Sequence, residues 1–334
     1  MNNRLKIPLI MVLTVFVFAI MINIIVSLIH TDKKISEINE INANLNTDNT
    51  TDESLVNKII ENIEAKESSL LEKEHFLSED DFTYITKQII MPYIEKFNGN
   101  MQVYFKVMGY DESFSNADIN NSIYPASLMK LYMMGEIFNE IEDDRLVYDD
   151  VEDLLNAMIT QSDNYSYDAL LGILMEIDPN TNPFIRLDQF CQKYNFDNTY
   201  LFNYYDIGDA SFDYLQNYLP GIQFETTVDD LGHFYELLYQ GELVSEKASS
   251  KMLSLLNQQE RTYKIPYNLP EEAITYNKTG ELDNYNHDSC LIESPNYDYV
   301  LIVMSESWDA SGSGAFAIQE MSEDLYSYLN PRNS

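Results

Sequence analysis

Cysteine and histidine are scarce in this chain, and two widespread catalytic motifs are missing. The two cysteines, Cys191 and Cys290, cannot form a disulfide-rich scaffold, and we expect two buried small side chains rather than one bridge. The four histidines do not fall into a familiar metal-ligand spacing, so the sequence predicts no metal and no other cofactor. The absence of a G-x-S-x-G pattern and of a phosphate-binding loop argues against a Ser-His-Asp esterase and against a nucleotide enzyme.

Positive charge is also scarce. Lys and Arg together number 20 against 55 Asp and Glu, which gives a formal net charge of −35. Nucleic acid and anionic membrane surfaces would repel such a chain, so no nucleic-acid partner is expected. We interpret the acidity as a solvated exterior.

One long apolar run occurs, at residues 7–29, and it is long enough to span a bilayer. It is also longer than a usual signal-peptide core, and no small-residue cleavage pattern follows it. We therefore expect residues 1–30 to be a cytoplasmic stub and an uncleaved anchor in the cell membrane, with the rest of the chain outside. A cleaved signal peptide is the alternative.

A polar segment follows the apolar run. Residues 31–79 are rich in Asn, Asp and Glu, with isoleucines and leucines at helical spacing in two short blocks. This composition predicts a partly helical tether, with a short coiled coil as the alternative. Residues 80–334 are then the folded domain, and a chain that is 45% hydrophobic, with 25 Tyr and 16 Phe, has ample material for its core.

The pattern of apolar residues predicts one sheet that is built from distant segments. A helix is expected near residues 82–96, and alternation at 101–108 predicts a half-buried strand. Helical segments follow from 127 to about 239. Strand-like runs occur at 274–277, 289–292 and 299–304, and an amphipathic helix at 315–329. Strands at both ends and helices between them indicate an α/β domain.

The segment around Ser127 carries the first chemical signal. Ser127 and Lys130 are three positions apart, so a helix would stack their side chains one turn from each other. Almost wholly apolar residues follow, which predicts a buried helix. A buried lysine is costly unless it is paired or neutral, and a neutral amine can take the proton of a nearby hydroxyl. The alternative is an ordinary amphipathic helix with both side chains on its surface.

Two further triplets follow in a fixed order. They are Ser162-Asp163-Asn164 and Lys278-Thr279-Gly280. Each has a structural alternative, because the first could be a turn with a helix cap and the second a hairpin turn. Finding both in this order behind the S-x-x-K pattern is a coincidence of roughly one in a thousand. In this order the motifs resemble the signature of class A β-lactamases and penicillin-binding proteins.

The resemblance extends from about residue 80 to the C-terminus and implies the fold. That fold is an antiparallel sheet flanked by helices, joined to an all-helical subdomain, with the site in the cleft between them. In this chain one transmembrane helix would precede it.

The resemblance also implies the roles of the reacting groups. Ser127 would be the nucleophile and Lys130 the general base for acylation. Ser162 would pass a proton between the leaving group and the two lysines, Lys130 and Lys278. The backbone N–H groups of Ser127 and Glu281 would form the oxyanion hole.

Substrate would be held by a second set of residues. Asn164 would hydrogen-bond the acyl-amide side chain of the substrate, and Lys278 and Thr279 would bind its carboxylate. Gly280 would leave room for close backbone approach. His287 resembles a family feature on the following strand, and we expect a structural contact in the cleft wall rather than a catalytic base.

One expected group is missing from the pattern. Class A β-lactamases carry a Glu in an E-x-x-L-N pattern, and this Glu activates the water that releases the acyl-enzyme. No such pattern occurs between residues 196 and 225. When the chain is aligned on Asn198-Thr199 and on Thr226-Thr227, the acid nearest to the position of this Glu is Asp206. Asp206 is either a shorter substitute for this Glu or a loop carboxylate that faces solvent.

These observations lead to one main hypothesis, which is a membrane-anchored serine hydrolase that forms an acyl-enzyme on Ser127 with β-lactams and hydrolyses it. A DD-peptidase that acts on the D-Ala-D-Ala peptides of peptidoglycan is the enzymatic alternative. A sensor or binding module that is acylated without turnover is the third hypothesis. Asp206 discriminates among them, because a working acid favours turnover and an idle one favours a trap.

Overall fold

A computed structural model describes residues 77–118, 120–121, 123–200, 225–309 and 313–331. The apolar run at 7–29, almost all of the polar segment at 31–79, and Asp206 lie outside the described residues. The expected domain limits therefore stay predictions. Within the described ranges, no helix combines the length and the hydrophobicity that crossing a bilayer requires.

The described chain begins with a helical stretch that a serine caps. Ser78 accepts a hydrogen bond from the backbone N–H of Asp81, whose carboxylate accepts one from the backbone N–H of Ser78. Behind this capping box come α1 (Glu79–Tyr84), a π-helical stretch (Ile85–Ile90) and α2 (Met91–Lys96). The helix expected near residues 82–96 is confirmed.

Five strands form one antiparallel sheet in the order β2-β1-β5-β4-β3. The strands are β1 (Gly99–Val107), β2 (Ser113–Ser115), β3 (Ile274–Glu281), β4 (Tyr285–Glu293) and β5 (Tyr299–Ser307). The expectation of one sheet from distant segments is confirmed, because β1 lies beside β5 at the centre. β3 lies at one edge of the sheet, so one side of its backbone has no partner among the strands that the structure describes.

Helices cover the sheet on both faces, and β1 shows the result. Val103 and Phe105 point to one hydrophobic cluster, whereas Tyr104 points to the other. Even the polar Gln102 is buried. The strand expected at 101–108 is confirmed as β1, but the expectation that only one of its sides is buried was wrong, because the side formed by Gln102, Tyr104 and Lys106 is covered as well.

A helical subdomain separates β2 from β3. It comprises a 3₁₀ turn (Ala126–Met129), α3 (Lys130–Glu142), α4 (Tyr148–Asn156), a π-helical stretch (Ala157–Gln161), α5 (Asn164–Ile177), α6 (Pro183–Lys193), α7 (Val228–Gln240) and α8 (Glu246–Asn257). The last helix, α9 (Ser313–Leu329), packs against the opposite face of the sheet, where α1 and the first π-helical stretch also lie. The sequence did not indicate α8 or the short β2.

The two cysteines lie in different clusters. Cys191 belongs to the cluster on the helical-subdomain side of the sheet, and Cys290 belongs to the cluster on the α9 side. Both are buried and free. The expectation of two buried small side chains is confirmed.

Candidate active site

Ser127 lies in the 3₁₀ turn that leads directly into α3. Buried Leu128 and Met129 anchor this turn in the core, and Lys130 is the first residue of the α-helix. Ala126, the residue before Ser127, has a φ of 49°. This left-handed backbone conformation costs a residue with a Cβ about 1–2 kcal/mol. The nucleophile candidate therefore follows a strained residue, as is common at functional sites.

Lys130 is fully buried and surrounded by polar atoms. Its Nζ lies 3.2 Å from Ser127 Oγ, and it donates to the Ser162 carbonyl (2.7 Å) and to Asn164 Oδ1 (2.6 Å). The pKa of Lys130 is lowered to about 7, chiefly by burial; the charge of Asp163 opposes this shift and that of Arg261 adds to it. A large fraction of this amine is neutral near pH 7 and can accept the Ser127 proton.

Ser162-Asp163-Asn164 is a helix cap and part of the site at once. Ser162 is left-handed (φ 62°, ψ 34°) and ends the second π-helical stretch. Asp163 then caps α5, because its carboxylate accepts from the backbone N–H and the hydroxyl of Ser166. The turn-and-cap alternative is thus correct as local structure, and the same turn brings Ser162 and Asn164 to Lys130.

Lys278 reaches the same serine from the sheet. It lies inside β3, so the hairpin-turn alternative for its triplet was wrong. Its fully buried Nζ donates to Ser162 Oγ at 2.9 Å, and burial followed by the nearby Lys130 charge lowers its pKa well below the ordinary value. Tyr235 of α7 supports the strand here, since it donates to the Ser289 carbonyl (2.9 Å), and the Ser289 hydroxyl donates to the Lys278 carbonyl (3.1 Å).

Two of the expected substrate-binding groups have polar atoms that the fold leaves available. Among the described residues, the buried Thr279 hydroxyl meets no hydrogen-bond partner. Asn164 uses its carbonyl oxygen for Lys130, so its NH₂ group can donate to another molecule. An orphaned hydroxyl beside Lys278 suits a carboxylate of the substrate.

Gly280 is required by packing rather than by open space. A Cβ at this position would lie 2.8 Å from the Pro125 carbonyl oxygen and 3.2 Å from Leu128 Cγ. The missing side chain lets β3 lie directly against the turn that carries Ser127. The close approach that the sequence predicted therefore occurs, and it is made by the protein's own backbone.

The sequence did not single out Arg261 and Lys264, two cations at the end of β3. Glu281 Oε1 accepts from Lys264 Nζ at 2.6 Å, and Glu281 Oε2 lies 3.3 Å from Arg261. Burial alone would raise the pKa of Glu281. The Lys264 charge, the hydrogen bonds from Lys264 and Tyr263, and the Arg261 charge together hold that pKa below the ordinary value. The only available signal was that bases are scarce and that these two are three positions apart.

His287 is a structural contact, as expected. Its Nδ1 accepts from the backbone N–H of Ser305 (3.1 Å), so Nε2 carries the proton and donates to the Tyr124 carbonyl (2.8 Å). Complete burial lowers its pKa to about 4, so the ring is neutral at physiological pH. It ties the segment before Ser127 to the sheet.

The described side chains form a continuous proton path. From Ser127 Oγ it runs to Lys130 Nζ (3.2 Å), then to Ser162 Oγ (3.4 Å) and to Lys278 Nζ (2.9 Å). The arrangement can activate a serine and return a proton to a leaving group. Asp206, the candidate for water activation, lies outside the described residues.

The fold combines one antiparallel sheet with a helical subdomain. Ser127 lies beside buried Lys130, and Ser162 contacts both Lys130 and buried Lys278. These features define a serine hydrolase built like a β-lactamase. The chain belongs to the β-lactamase enzyme family, whose model matches residues 148–329, just over half of the sequence. This match includes Ser162 and Lys278 and begins after Ser127 and Lys130.

Solved structures share the fold at low sequence identity. The β-lactamase of Sphaerobacter thermophilus DSM 20745 is 18% identical, with TM-score 0.61 over 75% of this chain and 98% of that one. A PBP-A variant solved as an acyl-enzyme complex with penicillin G is 18% identical (TM-score 0.59; 73% and 95% covered). The extended-spectrum β-lactamase TLA-1 is 14% identical (TM-score 0.60; 74% and 98% covered). A search of curated proteins gives no match.

Proposed function

We propose that this protein forms an acyl-enzyme on Ser127 with β-lactams and hydrolyses it. The observation that carries the proposal is a buried amine, Lys130, 3.2 Å from the Ser127 hydroxyl, with a pKa lowered to about 7. An ordinary surface lysine is charged at neutral pH and cannot act as a base. The penicillin G acyl-enzyme of PBP-A, a protein of the same fold, supports acylation as the first step.

Acylation follows from the proton path. The Lys130 amine takes the Ser127 proton while Oγ bonds to the β-lactam carbonyl carbon. The oxygen that becomes negative would be met by the backbone N–H groups of Ser127 and Glu281. When the C–N bond of the ring breaks, the Ser162 hydroxyl gives its proton to the ring nitrogen. Ser162 then receives a proton from Lys130, which holds the proton taken from Ser127, or from Lys278.

Substrate binding uses the groups that remain available. Lys278 and the Thr279 hydroxyl, which has no hydrogen-bond partner among the described residues, would hold the substrate carboxylate, because a cation beside an available donor suits that group. The Asn164 NH₂ group would donate to the amide carbonyl of the acyl side chain. No metal or cofactor takes part in this scheme.

Turnover is a separate step, for which Asp206 would activate the water. A DD-peptidase would use the same acylation chemistry on a D-Ala-D-Ala peptide, and a sensor would stop at the acyl-enzyme. We further propose that residues 7–29 anchor the protein in the cell membrane with its catalytic domain outside, where both substrate classes occur. Protease treatment of intact cells should then remove the domain, and protection from protease would contradict this orientation.

The decisive experiment mixes full-length protein in detergent with a chromogenic cephalosporin and follows the burst and the steady state. Continued turnover supports a β-lactamase, and a burst of one equivalent that stops supports a sensor or slow peptidase. Ser127→Ala should lose both phases and the mass adduct, whereas Ser250→Ala, an exposed serine on α8, should keep them. If the wild-type protein gives neither burst nor adduct, acylation by this class of compound is rejected.

A D-Ala-D-Ala peptide provides the test of the enzymatic alternative. Release of D-alanine that exceeds cephalosporin turnover, and that Ser127→Ala abolishes, would favour the DD-peptidase.

A further inference from the structure

A third lysine, Lys264, is as completely buried as the two in the proton path. It lies outside that path and contacts the ends of two strands. Its Nζ donates to Glu281 Oε1 on β3 at 2.6 Å and to the His287 carbonyl on β4 at 2.9 Å. One ammonium group therefore links the two strands at the end of β3.

This link is difficult to open. An ammonium left without its partner in the protein interior is strongly unfavourable, so the folded domain favours the bond between Lys264 and Glu281. Buried Asp288 adds a second negative charge near the ammonium. Tyr263 also donates to the Glu281 carboxylate from the segment that carries Lys264. The segment that contains Tyr263 and Lys264 therefore fixes the end of β3 through the Glu281 carboxylate.

The same frame extends to the nucleophile. His287, whose carbonyl Lys264 binds, donates from its ring to the Tyr124 carbonyl, three residues before Ser127. Gly280 packs against the Pro125 carbonyl on the same turn. The position of Glu281 relative to Ser127 is therefore set by contacts that begin at Lys264.

We infer that Lys264 is a positioning residue that fixes the backbone N–H of Glu281 relative to that of Ser127. Because β3 is at the edge of the described sheet, its outer N–H groups have no partner among the described strands and can meet a substrate oxygen. The inference rests on the proposed function, in which these two donors stabilise the oxyanion. Lys264 acts through Glu281 and contacts no reacting atom.

The test compares Lys264→Met and Glu281→Gln with the wild-type protein. Methionine has a similar length without the charge, so β3 should lose its anchor while the backbone donor remains. We expect the acylation rate constant at saturating β-lactam to fall about 30- to 300-fold, near the value of one oxyanion donor. The dissociation constant of the non-covalent complex should change less than about threefold. Lys106→Met, which breaks the Lys106–Glu236 pair on β1 and α7, is the matched control and should acylate normally.

The infrared stretch of the acyl-enzyme carbonyl separates positioning from a general loss of structure. Weaker hydrogen bonds to this oxygen move the stretch to higher wavenumber, and we expect this shift in Lys264→Met and a smaller one in Glu281→Gln. If Lys264→Met does not fold, Glu281→Gln alone decides, because its side chain is partly exposed and it keeps a neutral acceptor for Lys264. An unchanged stretch, or equal losses in binding and acylation, would overturn the inference.

A measurement without substrate keeps the two proposals apart. If the wild-type protein gives no adduct, the proposed function fails, whereas NMR relaxation of the Glu281 amide still tests the positioning. The order parameter should fall from about 0.85 to below about 0.7 in either variant. An amide that stays rigid in both variants would overturn the positioning role whatever the protein acylates.

Discussion

Lys278 donates from its Nζ to the hydroxyl of Ser162 at 2.9 Å, although the two residues are 116 positions apart. Lys130 contacts the same serine through the Ser162 carbonyl, to which its Nζ donates at 2.7 Å. Two lysines that are both buried and share one neighbour cannot both be fully charged, because burial and mutual repulsion each favour the neutral amine. Ser162 thus joins two groups between which a proton can be shared, and the left-handed backbone at this residue makes the double contact possible.

The pH dependence of acylation should report the titration of Lys130. The amine must be neutral to accept the Ser127 proton, and its pKa is about 7. The acylation rate constant should therefore rise about tenfold per pH unit below pH 7 and level off above it. Stopped-flow measurement of the cephalosporin burst between pH 5 and 9 tests this.

Arg261→Gln provides the comparison for this profile. Because the Arg261 charge contributes to lowering the pKa of Lys130, its removal should move the acid limb to higher pH by less than about one unit. Lys106→Met removes a cation outside the site and should leave the limb in place. A limb near pH 10 in the wild-type protein would contradict the role of Lys130 as base.

Two glycine substitutions should have opposite effects. Gly280→Ala places a Cβ 2.8 Å from the Pro125 carbonyl oxygen, so β3 must shift away from the turn. We expect a loss of about 1–3 kcal/mol in the free energy of unfolding and slower acylation. Gly172→Ala is the matched control, because a Cβ within α5 meets no atom within 4 Å and alanine favours a helix by about 0.5–1 kcal/mol. Urea unfolding measures both, and equal effects would refute the packing explanation.

Ala126→Gly should stabilise the protein. The φ of 49° strains alanine and not glycine, so the free energy of unfolding should rise by about 1 kcal/mol. The turn that holds Ser127 also becomes less constrained, and the acylation rate should fall while Tm rises. A stability loss would show that the left-handed backbone at this position is not strained.

The motifs around the reacting groups could be predicted because each carries local information. The apolar run after Lys130 indicated a buried lysine, and the order of the triplets indicated Ser162, Asn164 and Lys278. Lys264 could not be found in this way, since its importance arises only when β3 and β4 pair and bring Glu281 beside the His287 carbonyl.

The fold could likewise be predicted where the local pattern is long enough, and not where distant contacts decide. Long periodic segments such as α9 and β5 were evident, whereas β2, which has three residues, is too short for a pattern. The burial of β1 on both faces could not be predicted from the sequence, because polar Gln102 and Lys106 suggested that one face is exposed to solvent. Contacts with distant helices, such as the pairing of Lys106 with Glu236 on α7, overrode this local pattern.

A buried pair of carboxyl groups on α3 should make stability depend on pH. Burial, together with Glu140 one turn away, raises the pKa of Glu136 to about 8, while Arg145 and Arg186 hold the pKa of Glu140 low despite its burial. The folded protein therefore keeps a proton on Glu136 that the unfolded chain loses above its ordinary pKa near 4.5. The free energy of unfolding should fall by on the order of 1 kcal/mol per pH unit as pH rises from about 4.5 to 8.

Glu136→Gln tests this assignment. Glutamine resembles the protonated acid at every pH, so this part of the pH dependence should disappear from urea unfolding curves. Glu152→Gln, on the exposed side of α4, should keep the wild-type profile. A profile for Glu136→Gln as steep as that of the wild-type protein would assign the effect to other groups.

Asp206 decides between turnover and a trap. A carboxylate that activates water is needed only after the β-lactam ring has opened, so Asp206→Asn should keep the burst and lose at least about 10²-fold in steady-state rate. The acyl adduct on Ser127 should then persist in mass spectra. Asp209→Asn and Asp213→Asn remove acids from the same segment and should turn over normally. Steady-state hydrolysis at the wild-type rate by Asp206→Asn would assign water activation to a different group, and loss of the burst itself would place Asp206 in acylation.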